Sequence, residues 1–184
     1  MSPVAHSGVA LLAWQVGATR KTWKTLALFV FAGNLPDIDF VLNLVLGHNR
    51  LSVHQYVTHN FLFILVSVSL LSLALPKGRD RWVLLLLGLS HLLLDVIVID
   101  PARPIGIRPF FPFSKALVNL GFFPYLERWR LRDMISWRNG GVLLLEAAVF
   151  VFPVLIIYGK RIFKTVRGRA FWKAEDRCRR GERA

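Results

Sequence analysis

Five apolar runs, at roughly residues 4–18, 26–46, 61–75, 82–99 and 142–158, contain no lysine or arginine. The basic residues lie between them and after them. This segregation constrains the fold more than any other feature, because a chain that alternates apolar blocks with basic connections sorts itself across a lipid boundary. With 184 residues, 54% of them hydrophobic, and a formal net charge of +13, a single soluble core could not absorb so much apolar surface. The sequence therefore predicts an all-α integral membrane bundle of about five transmembrane or re-entrant helices. Several runs fall short of the ~20 residues of a full span, so tilted helices packed on one another are expected.

The basic residues also predict an orientation. Arg20, Lys21 and Lys24 separate the first two runs; Lys77, Arg79 and Arg81 separate the third and fourth; ten more follow residue 158. If all five runs cross, these groups share one side, which the positive-inside rule makes the cytoplasm. The chain then divides into a membrane-embedded domain over residues 1–158 and a basic cytoplasmic tail over 159–184. The expected location is the inner (cytoplasmic) membrane. The connection over residues 100–141 carries seven lysines and arginines and is read as partly interfacial, with Trp129 and Trp137 at headgroup level. Its arginines, among Phe110, Phe111 and Phe113, suit lipid headgroups, and nucleic acid is not an expected partner.

Against this background the stretch NLPDIDF, Asn34 to Phe40, is out of place. A carboxylate at membrane depth costs about 2.5–3.5 kcal/mol, so Asp37, Asp39, Asp95 and Glu146 together would cost on the order of 10 kcal/mol uncompensated. No basic residue inside the second to fifth runs can pair with them. A divalent cation would compensate them directly, with histidines as co-ligands. In the orientation set by Lys and Arg alone, His6, Asp37, Asp39, His54, Thr58, His59, His91, Asp95 and Glu146 all fall toward the extracytoplasmic side.

The individual motifs differ in sharpness. In SHLLLD, His91 and Asp95 are four apart on a helical run and share a face. They can give two ligands to one metal or one to each of two, or simply pair with each other. In PDID, the carboxylates are two apart and would diverge on an ideal helix. Pro36 breaks the helix locally, which could aim both at one site; otherwise one coordinates and the other caps or orients it. HQYVTHNF offers His54 and His59, five apart, ligands if a helix begins near Thr58. Glu146 alone reads as a helix-start residue for orphan amides. The single cysteine, Cys178, excludes an internal disulfide. Walker A, Gly-rich dinucleotide, G-x-S-x-G and H-E-x-x-H motifs are missing from the sequence, so nucleotide-triphosphate and serine-nucleophile chemistry have no support.

The ordered set His6, NLPDIDF, HQYVTHNF and SHLLLDVIVID, followed by IGIRPFFPFS, resembles the YdjM-like family of membrane-bound metal-dependent hydrolases. The resemblance spans residue 6 to about residue 114. This chain has Phe40, Gln55 and Asn60 where the family often has His, Arg and Ser. The resemblance implies metal ligation by His6, Asp37, Asp39, His54, His59, His91 and Asp95. The order of ligands is also similar to that of all-helical zinc-dependent phospholipase C, an analogy that suggests phosphoester hydrolysis.

Together these readings predict a membrane-bound hydrolase with one to three metals, acting on a phosphoester such as a lipid phosphate. His and carboxylate ligands suit Zn, with Mn or Fe as alternatives. Asp37 or Asp39 would bridge metals or accept the proton of the attacking water. His91 and Asp95 would anchor one metal and His54 and His59 another, while Arg103 or Arg108 would hold substrate phosphate. Two rivals use the same residues: a cation or proton transporter, and a non-enzymatic membrane scaffold with a structural metal site.

Overall fold

Four of the five described helices begin where a side chain takes up an orphan amide. In the computed structural model, which describes residues 1–39, 57–76, 78–99, 105–126 and 136–160, Ser2 opens α1 (Pro3–Gly17) by accepting from the Val4 N–H at 3.1 Å. Thr22 opens α2 (Trp23–Asn34) through the Thr25 N–H. Asn60 opens α3 (Phe61–Ser72) through Phe63 at 2.8 Å. Gly78, with φ of +123°, turns the chain into α4 (Arg79–Ile97). Ser136 opens α5 (Trp137–Glu146) through the Asn139 N–H. This last helix runs on to Lys160 through a wider π-turn, Ala147–Val151. That turn comes just before Pro153, whose ring and missing N–H interrupt the regular ladder.

The described residues form these five helices and no extended strand, only isolated bridges between Val98 and Phe123 and between Ile107 and Val118. α1 and α4 are central: α1 packs on α2, α4 and the π-turn, and α4 packs on α1, α2 and α3. Ala10, Phe29, Ala32, Ile64, Val68, Leu84, Leu87 and Leu92 fill the space between them. Two glycines allow close approach. A Cβ at Gly88 would sit 2.8 Å from a Val68 methyl, and one at Gly8 would sit 2.8 Å from the Phe150 carbonyl oxygen.

The outer faces are apolar too. Only Ile64 and Val68 of α3 are buried, while Leu70, Leu93 and Leu144 are each more than 60% exposed. An all-round apolar helix wants an apolar surrounding. Among the described residues one helix, Trp137–Lys160, is long and apolar enough to cross a membrane. Its 24 residues reach about 36 Å at 1.5 Å per residue, beyond the ~30 Å of a hydrocarbon core. α1, α2 and α3 have 15, 12 and 12 residues, short of a full span.

The helices alternate in direction, so the bundle has two chemically distinct ends. At one end lie Arg20, Lys21 and Arg79, where Asp80 accepts from the Thr19 N–H and hydroxyl at 2.7 and 2.8 Å. At the other end come together the starts of α1, α3 and α5 and the ends of α2 and α4. Residues 105–126 cover that end. The Leu120, Phe122 and Phe123 N–H groups donate to the Val96 and Ile97 carbonyls, satisfying the last acceptors of α4. His54, Arg103 and the tail from residue 161 lie outside the described residues.

Candidate metal centre

Asp37 reaches the centre because α2 stops. After Asn34 the chain tightens into a 3₁₀ turn, Leu35–Asp37, around Pro36. Asn34 steadies that turn by donating to the Val30 carbonyl at 2.8 Å and to the Ser7 hydroxyl at 3.2 Å. His59 sits just ahead of the Asn60 cap of α3, and His91 and Asp95 lie one turn apart near the end of α4. His6 comes from the first turns of α1. His6, His59 and His91 are each at most 2% exposed.

Four ligand atoms converge. His59 Nε2 lies 3.3 Å from His91 Nε2, 3.2 Å from Asp95 Oδ2 and 3.6 Å from Asp37 Oδ1. His91 Nε2 lies 3.1 Å from Asp95 Oδ2 and 3.9 Å from Asp37 Oδ1. A tetrahedral ion with bonds of 2.0–2.1 Å has ligand atoms about 3.3 Å apart. Five of the six edges of such a tetrahedron are thus within reach of their bonded length. Asp37, His59, His91 and Asp95 could therefore hold a metal ion.

The hydrogen bonds behind the rings point the same way. His91 Nδ1 lies 2.8 Å from the Gly33 carbonyl. A carbonyl can only accept, so Nδ1 carries a proton, and a neutral ring held this way would turn a lone pair inward at Nε2. The Thr58 hydroxyl gives its proton to Asp39 Oδ2 at 2.5 Å, which leaves its oxygen to accept from His59 Nδ1 at 3.0 Å. In its neutral form His59 would likewise face inward with a lone pair at Nε2. Two carboxylates facing two imidazole nitrogens in a buried space call for a compensating positive charge, which a bound cation or a protonated imidazole would supply. Carboxylate-backed or carbonyl-backed imidazoles are how metal-binding histidines are oriented.

The structure separates the two aspartates of PDID. Asp37 joins the four-donor group, while Asp39 stands behind His59, with Oδ2 4.0 Å from Nδ1 and Thr58 between. His6 stacks on His91, with ring centroids 3.8 Å apart and 13° between planes. Its Nε2 lies 3.5 Å from Asp95 Oδ1 and 3.9 Å from Asp37 Oδ2. The amino group of Met1 also donates to Asp95 Oδ1. Arg108 belongs to the covering segment, whose Pro109 carbonyl accepts from the Phe61 N–H at 2.8 Å beside His59.

Glu146 corrects the sequence reading. It does not cap its own helix, since α5 begins nine residues earlier at Trp137. Instead it is buried and accepts from both the N–H and the hydroxyl of Ser2, completing the cap of α1 from another helix. Sequence reasoning groups Thr58 with the histidines but gives it no role, and it misses the Gly33 carbonyl and Ser2 as contacts of the buried polar groups. The Thr-His pair was a visible signal for Thr58; nothing local could have marked the other two.

No curated protein and no solved structure matches this chain. The family model of the YdjM inner membrane protein matches residues 1–163. With its helices apolar outward, one of them long enough to cross a bilayer, and a buried His/Asp group at one end, the chain belongs to the YdjM inner membrane protein family.

Proposed function

We propose that this protein is a metal-dependent hydrolase of the inner membrane that cleaves a phosphoester, with a lipid phosphate as its substrate. The observation that carries this reading is the near-tetrahedral spacing of the His59, His91, Asp37 and Asp95 ligand atoms. A bound divalent cation, Zn by the donor set, supplies phosphoryl polarisation and a water of lowered pKa. The chain's own residues do the rest. His59 and His91 would hold the ion, Asp37 and Asp95 would neutralise it, and Asp39 would act through Thr58 to keep His59 turned inward. Arg103 or Arg108 would supply a guanidinium group for substrate phosphate.

The lipid assignment rests on the surroundings of that end of the bundle. Phe110, Phe113, Leu120 and Phe122 in the covering segment are all more than half exposed. Apolar side chains displayed beside a phosphate-directed site would rest among acyl chains and bring headgroups to it. In this reading all five helices are membrane-embedded, the basic end faces the cytoplasm and the metal end faces outward.

The test is elemental analysis of detergent-purified protein, wild type beside His91→Ala/Asp95→Ala, followed by phosphate release from phosphatidic acid. Stoichiometric metal and turnover in the wild type, both lost in the double variant, would support the proposal. Absence of metal after reconstitution with Zn and with Mn would sink it. A second reading has its own observation: four protein donors close the shell of a single tetrahedral ion, as in structural sites. Tight metal without turnover on any phosphoester would favour that scaffold role.

A further inference from the structure

We infer that the centre holds two cations rather than one, which share Asp37 and Asp95 as bridging carboxylates and have His6 as the histidine of the second position. This inference rests on the metal-centre reading and changes how the donors are divided. His59 and His91, expected from sequence to serve different ions, face the same one.

Both carboxylates are split between two sides. Asp95 turns Oδ2 to His59 and His91, at 3.2 and 3.1 Å, and Oδ1 to His6, at 3.5 Å. Asp37 turns Oδ1 to His59 and His91, at 3.6 and 3.9 Å, and Oδ2 to His6, at 3.9 Å. The division repeats in both aspartates, and that is the geometry of a pair of bridging ligands. The first position has four donors; the second has His6 Nε2, Asp95 Oδ1 and Asp37 Oδ2.

His6 itself points to a missing partner. Both of its ring nitrogens are buried without a hydrogen bond, and so is Asp37 Oδ2, the atom facing it. Buried polar atoms without partners are rare and call for an unseen group. The stacking supports the same conclusion. His6 and His91 are nearly parallel and 3.8 Å apart, so rings donating side by side would serve ions separated by about the 3.5–4 Å of two-metal sites. Among the described residues three protein donors face the second position, one fewer than the first, and a three-donor position is the kind that a catalytic site keeps open.

Full-length protein in detergent is loaded with Mn, freed of excess, and assayed by metal analysis and electron paramagnetic resonance. The wild type should carry two Mn per chain with an exchange-coupled signal. His6→Gln should lose one of the two and show the hyperfine pattern of an isolated ion. Circular dichroism and a monodisperse elution profile verify that the variant folds. His6→Asn serves as a second variant if His6→Gln does not fold. One ion in the wild type, kept in His6→Gln and lost in His91→Ala, would overturn the two-cation inference and leave the metal-dependent reading standing. Two ions kept in both His6 variants would overturn the role of His6. No ion in the wild type would overturn both readings together.

Discussion

Thr58 is a small residue with a large expected effect. Its hydroxyl is the only described link between Asp39 and His59 Nδ1 at hydrogen-bond distance, so it sets which way the imidazole lone pair points. Thr58→Val keeps the shape and removes that relay. Metal affinity should fall about 10–100-fold, as when other outer-shell partners are removed, with helix content unchanged; competition with a chelating dye measures it. Thr58→Ser should restore most of the affinity. Ser2→Ala tests the other polar contact between distant segments. It leaves the buried Glu146 carboxylate with one donor fewer, and such a loss costs about 1–3 kcal/mol. Thermal unfolding in detergent should show it as a lower Tm. An unchanged Tm would mean that Glu146 finds another donor. The Ser2–Glu146 contact is not visible to a local reading of the sequence, because the two residues are 144 positions apart.

α4 is the element on which the assembly depends. It carries His91 and Asp95 on one face near its end, and along the same helix Gly88 lets α3 approach closely enough that Ile64 and Val68 touch its backbone. Gly88→Val would put branched carbons where a Cβ alone is already 2.8 Å from Val68. Overpacking of this kind costs about 1–3 kcal/mol, and it should also push α3, and with it His59, away from His91. The expected outcome is a lower Tm together with weaker metal binding. A matching Val68→Ala change should restore part of both. The helix ends were largely legible beforehand: the apolar runs at 61–75 and 82–99 became Phe61–Ser72 and Arg79–Ile97. α5 was less so. Its start at Trp137 precedes the apolar run, because Ser136 caps it and Asn139 is buried.

For the whole molecule, the prediction concerns sides. The basic end and the metal end lie at opposite ends of the bundle, so reagents that do not cross membranes should tell them apart. In a Cys178→Ser background, Lys115→Cys in the covering segment should react with an impermeant maleimide in spheroplasts. Lys24→Cys, exposed at the other end, should react only after permeabilisation. The reverse pattern would place the metal end in the cytoplasm and limit its substrates to the inner leaflet.

The sequence by itself determined that the chain is helical, that its helices are apolar on more than one face, and that its unusual carboxylates and histidines gather at one end. These properties are local or follow from counting alternating helices. Apolar runs and caps act within a few residues, and each reversal of the chain returns the next polar group to the same end. Only the tertiary structure decided which donors converge within metal-binding distance, that Asp39 backs His59 instead of joining Asp37, and that Glu146 belongs to the start of α1. Those assignments turn on distances of about 3 Å, the scale of a coordination bond or a hydrogen bond. Helix packing and the turn around Pro36 set such distances, and the spacing of residues along the chain does not encode them.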